Sequence, residues 1–131
     1  MTARRTPDFI VPFVCETATV PEGSVMAVGA ADNKAKLAGA TPGISAGLLG
    51  LAKDANTTAG AVLDIVTSGV FPAIAGGTIS RGDPLTSDAA GAVVTAAPGA
   101  GTNIAIIGHA LASAVAADRV PVLIGRYVLQ G

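Results

Sequence analysis

The chain has 131 residues, half of them hydrophobic, with only 13% charged, 3% aromatic and a formal net charge of -1. That balance gives no reason to expect a nucleic-acid or anionic-membrane surface. The single Cys15 excludes an internal disulfide, and no apolar run reaches the ~18 residues of a membrane-spanning helix. The length suggests one domain. Its apolar weight lies in Ala, Val, Ile and Leu, with 17 Gly. Small side chains bury little area each, at about 25 cal/mol per Å². A thin core is therefore expected, with part of the apolar surface buried against other chains.

Residues 1–20 read as an extended arm. Phe9, Ile10, Val11, Phe13 and Val14 favour β structure, whereas Pro7, Pro12 and Pro21 oppose a regular central strand. Such a segment either adds to a neighbour, as a strand or in a groove, or folds back over its own domain. Pro7, Asp8 and Pro12 interrupt the apolar stretch behind Arg4 and Arg5. No secretion signal is expected from that pattern, and a soluble, unprocessed intracellular product is.

Residues 21–131 read as one β-rich domain. A strand is expected at Val25–Val28, a turn at Ala31-Asp32-Asn33, and a return strand over residues 34–38 with Lys34 and Lys36 on one face. An apolar run from Ile44 to Ala52 leads through a polar turn to a strand at Val62–Val66. The Thr57-Thr58 pair and flanking glycines favour a hairpin here over a short helix. The strand then ends in glycine at Gly69, and a Pro/Gly linker follows. A Gly82-Asp83-Pro84-Leu85 entry opens the next strand, which turns at Asp88-Ala89-Ala90-Gly91 and returns as Ala92-Val93-Val94.

The second half repeats the first. Gly50-Leu51-Ala52 and Val62–Val66 match Gly108-His109-Ala110 and Val120–Ile124 at an offset of 58, and Glu22-Gly23 matches Arg81-Gly82 at 59. Half-repeats of about 21–78 and 79–131 predict an all-β fold, a small sandwich or barrel with pseudo-symmetry.

Catalytic chemistry finds no support. His109 is the only histidine, its repeat mate is Leu51, and no Gly-x-Ser-x-Gly elbow occurs. One Cys, one His and scattered carboxylates do not make a metal site. The glycine-rich stretches at 76–77 and 99–101 lack a phosphate loop's Lys-Ser/Thr ending. Arg81-Gly82-Asp83 is accounted for by turn chemistry. Asp32-Asn33-Lys34-Ala35 is similar to the hairpin on which biotinyl and lipoyl carrier domains present a modified lysine, but an Asn separates Asp from Lys. Lys34 as a plain turn lysine is the simpler account. No catalytic residue, metal ligand or cofactor is therefore assigned.

The order Gly69-Val70-Phe71, a Pro/Ala/Gly linker, Ile79–Leu85, Ala90–Val93, Gly108-His109-Ala110 and Val120-Pro121-Val122 resembles the capsid cement, or head decoration, proteins of tailed bacteriophages. The resemblance spans roughly residues 20–125, and Asp118 stands where that family commonly has Gly. It implies a non-enzymatic virion protein, made in the bacterial host cytoplasm. Such a protein binds the outer surface of a phage capsid, often as a homotrimer, and clamps neighbouring major capsid protein subunits. No direct nucleic-acid or membrane partner is implied. The arm, through Phe9, Ile10, Val11 and Phe13, is the expected capsid-binding element. A head-fibre base or tail adaptor is the alternative, with a carrier domain behind both.

Overall fold

The computed structural model describes residues 6–43 and 46–131. These hold nine strands: β1 (Thr6–Cys15), β2 (Val25–Val28), β3 (Lys34–Leu37), β4 (Leu48–Ala52), β5 (Val62–Ile74), β6 (Pro84–Ser87), β7 (Val93–Thr95), β8 (Asn103–Ala110) and β9 (Arg119–Gln130). They form one sheet in the order β1-β3-β2-β4-β5-β9-β8-β6-β7. β1 also pairs antiparallel with β5, which closes the first five strands into a barrel. No helix occurs among the described residues, so the expected all-β class holds.

Strands β5 to β9 rebuild that barrel. β1 pairs with β3 in parallel, at Cys15 with Ala35, and Ala75 at the end of β5 bridges Val93 in parallel. Val25–Leu51 and Met26–Gly50 become Pro84–His109 and Leu85–Gly108. Leu51–Val66 and Ala52–Ile65 become His109–Leu123 and Ala110–Val122. The bridge Val20–Asn56 becomes Ile79–Ala114. β5 is thus shared, as the last strand of barrel 1 and the first of barrel 2.

The pairings correct the sequence alignment at its end. From first half to second the offset is 60 at β1, 59 at β2, 58 at β3 and β4, and 57 at β5. The uniform 58 is wrong for the last strand by one residue, and such a slip exchanges the faces of a strand. Leu63, buried, therefore corresponds to buried Val120, whereas Val62 is 68% exposed.

Two further expectations change. β5 does not stop at Gly69. It runs on to Ile74, because Gly69 adopts a φ of 96° and still pairs with Pro7 on one edge and Ile124 on the other. Glycine permits that conformation without the Cβ clash other residues suffer. The segment read as an arm is, from Thr6 to Cys15, a strand of the domain's own sheet, which is the fold-back alternative. Its prolines fit this place. Val14 N–H bonds Asn33 on the outer edge and Cys15 N–H bonds Ala61 on the inner side. Alternation then turns Pro12 outward, where a missing N–H costs nothing. Residues 1–5 of the arm and Ile44-Ser45 of the apolar run lie outside the described residues.

Each barrel has its own interior. Barrel 1 encloses Cys15, Val20, Met26, Ala35, Ala52, Leu63 and Ile65. Their counterparts Ala75, Ile79, Leu85, Val93, Ala110, Val120 and Val122 are all buried in the larger cluster that continues into the seam between barrels. Across the seam, Val25 N–H donates to the Gly91 carbonyl at 2.8 Å, Ala105 N–H to Pro42 at 2.7 Å and Ser87 Oγ to Gly39 at 2.6 Å. Arg126 Nη1 donates to the Leu48 carbonyl at 3.0 Å, and Arg119 Nη1 to that of Glu22.

Candidate functional site

The four apolar residues singled out in β1 do not share one environment. Phe13 pairs with buried Leu63 and packs against the barrel 1 core, and Val11 pairs with buried Ile65. Both are half-buried. Phe9 and Ile10 differ: they lie 64% and 39% exposed beside a register shift in the β1–β5 ladder. A bulge of this kind re-aims side chains that strict alternation would turn inward. On the edge away from β5, β1 is paired among the described residues at Val14 and Cys15. Of the four, Phe9 and Ile10 are therefore the ones that reach the surface.

A second apolar surface was not anticipated. Pro84, His109 and Leu123 are register partners across β6, β8 and β9. The His109 and Tyr127 rings stack with centroids 5.5 Å apart, and Tyr127 Oη lies 3.0 Å from His109 Nε2. Leu123 is 49% and Tyr127 40% exposed. The uniform offset hid this row by equating Leu123 with Ile65, which faces the barrel 1 interior, when its true counterpart is Val66, on the opposite face and buried in the seam cluster.

The remaining candidates have structural duties. Asp83 of the Arg-Gly-Asp turn accepts from Ser80 N–H at 2.9 Å and from Thr95 Oγ1 at 2.8 Å. Those two donors, Ser80 foremost, hold its carboxyl below the usual range. Cys15 is buried in barrel 1, while His109 sits on β8 in barrel 2, so the two are not brought together. Lys34 is exposed at the head of β3, after a turn in which Asn33 has a φ of 63°. A cleft of about 450 Å³ near Thr41, Thr95 and Asn103 is lined in part by Thr86 and Ser87, whose hydroxyls donate to the Ala105 and Gly39 carbonyls. Every buried side-chain nitrogen or oxygen among the described residues has a partner. No group of three or more metal-ligating side chains occurs among them. What the molecule offers is surface: exposed apolar side chains on two small, tightly bonded barrels.

That kind of surface suits a protein that works by packing on others, and comparison with known families agrees. The family model for phage cement proteins matches residues 6–125. The chain belongs to the phage cement protein family. It is a phage structural protein, and the match takes in β1, which the sequence alone had set apart. In fold, this phage cement protein is similar to the N base of head fiber gp8.5 of bacteriophage phi29. The TM-score is 0.66 at 18% sequence identity, over 94% of this chain and 98% of that one. No curated protein matches the chain.

Proposed function

We propose that this cement protein binds the outer surface of a phage capsid and bridges neighbouring major capsid protein subunits, as a homotrimer. It is synthesised in the host cytoplasm and acts on the virion without catalysis. The family match over residues 6–125 carries the reading. The exposed pair Phe9 and Ile10, on a strand with one largely unpaired edge, supports β1 as the contact with the shell. Val11 and Phe13 act behind them by holding β1 on its barrel. Many weak contacts repeated over a symmetric lattice add to a large total stabilisation.

The test is binding to purified shells that lack the protein. Removing residues 2–14 is unsuitable, because it takes out the strand that closes barrel 1. The double substitution Phe9→Ser with Ile10→Ser leaves the interior intact. It should lower affinity by at least tenfold while the melting temperature stays within a few degrees. Wild-type affinity in that variant would remove β1 from the contact. The fold match to a head-fibre base supports a second reading, in which the protein is the foot of a fibre. The number of copies per virion separates the two. A simple fraction of the capsid subunit count fits a cement, and a handful of copies fits a fibre.

A further inference from the structure

The duplication shows what one face of barrel 2 is built to meet. In barrel 1, Val25, Leu51 and Val66 are register partners across β2, β4 and β5, and all three are fully buried in the cluster that continues into barrel 2. The Asp88–Gly91 turn of barrel 2 meets the Val25 end of this row, with Gly91 accepting from Val25 N–H. A Cβ on Gly91 would run into Leu37. The same row in barrel 2 is Pro84, His109 and Leu123. There it is open: Pro84 and His109 are half-buried, Leu123 is 49% exposed, and the exposed Tyr127 stacks on His109.

The matching partner surface is also present, on barrel 1. Gly91 and Arg119 are two of the groups that barrel 2 turns toward barrel 1. Their counterparts are Asn33, which shares Gly91's left-handed backbone with φ of 63° against 80°, and Val62. Val62 is exposed, as is Val28 at the start of the Asn33 turn. An apolar residue thus replaces Arg119, and among the described residues both Val62 and Val28 keep much of their side chains exposed.

We infer that the Pro84–His109–Leu123 row of one copy receives the Asn33 turn and Val62 face of barrel 1 from a second copy. The contact repeats, between chains, the packing of barrel 2 on barrel 1 within a chain. It joins two different surfaces, so it is head-to-tail, and it closes into a ring if the rotation between barrels divides the circle. Pro84 has no N–H, so the hydrogen bond from Val25 to Gly91 has no equivalent. The contact between copies therefore rests more on apolar side chains than the seam within the chain does. It supplies the arrangement for the oligomer proposed above but requires no capsid, so its failure would leave the capsid reading standing.

The test is the mass of the purified full-length protein in solution, by sedimentation or mass photometry, for wild type, Leu123→Arg, Val62→Arg and an equal mixture of the two variants. Both substitutions lie on exposed positions, and circular dichroism melting checks the fold. Wild type should assemble, and each variant alone should be monomeric at the same concentration. The mixture should give a dimer and no larger species, because each mixed pair retains one intact head-to-tail contact. A monomeric wild type, variants that keep the wild-type mass, or a mixture that stays monomeric would each overturn the inference.

Discussion

Barrel 1 and barrel 2 share every strand pairing, yet they differ in how they are filled and in what holds them shut. At matched positions Met26 becomes Leu85, Ala35 becomes Val93, Leu63 becomes Val120 and Ile65 becomes Val122, with all eight buried. Volume lost on the last strand is regained on the hairpin opposite, as close packing requires. Closure differs more. Barrel 2 is closed through β5, which is continuous with the chain on both sides. Barrel 1 is closed by β1, which among the described residues pairs with β3 and β5 alone and is a strand of barrel 1 only. A duplicated fold can thus carry one architecture at two local stabilities.

The largest effect that would break the comparison concerns the matched glycines Gly50 and Gly108. A Cβ at Gly50 would overlap the Val66 carbonyl oxygen, and one at Gly108 that of Leu123. Backbone cannot yield as a side chain can, so Gly50→Val and Gly108→Val should each cost more than the about 1–3 kcal/mol usual for overpacking. Loss of the cooperative melt checks this, and a mild effect at either site would mean the barrels are not built alike.

Next come the cores. Met26→Ala and Leu85→Ala should each cost about 2–5 kcal/mol in denaturant unfolding. Hydrogen exchange sharpens the result: Met26→Ala should free the β1 amides ahead of the rest, while Leu85→Ala should loosen the molecule as a whole. Equal loosening of β1 in both would remove the difference in closure. The traded volumes give a third test. Ala35→Val should destabilise by about 1–3 kcal/mol through overpacking. Adding Leu63→Val, which brings both positions to the barrel 2 pattern, should recover part of that loss. Strict additivity would show that the two residues do not share space.

The smallest effect is electrostatic and belongs to barrel 2. The folded state holds the Asp83 carboxyl below its usual value. Its stabilising contribution is therefore present above the unfolded pKa of about 3.9 and fades as pH falls through the folded value. In barrel 1 the matching position is Ser24, which does not titrate and donates to Pro21. Asp83→Asn should flatten part of the acid limb of the stability curve and lower stability slightly at neutral pH. An unchanged acid limb would refute the role given to Ser80 and Thr95.

Much of this was legible in the residues. The turn at Ala31-Asp32-Asn33, the Gly82-Asp83-Pro84-Leu85 entry and the turn ending at Gly91 are all where their chemistry places them, and the two barrels repeat one set of strand pairings. Three features hid for one physical reason, that strands tolerate local irregularity. Gly69 reads as a stop, but its positive φ only bends a strand that continues. The successive strands differ in offset by single residues lost from the intervening loops, so no fixed offset aligns them all. Ile10-Val11-Pro12 and Val70-Phe71-Pro72 are the same strand element at an offset of 60. Seen so, β1 becomes the opening strand of the first repeat. Phe13 then belongs with the packing side of that strand, and Phe9 and Ile10 are left exposed.

The shared strand β5 has a mechanical consequence. A tug on barrel 1 along β5 passes into barrel 2 through covalent bonds as well as across the hydrogen-bonded seam. Along its length the strand is flanked by β1 and β4 at one end and β9 at the other, in antiparallel register. Axial tension must therefore shear several hydrogen bonds at once, because sequential peeling is blocked on both sides. A molecule strung this way behaves under outward strain as a single short tether, and its extensibility resides in the loops and in β1.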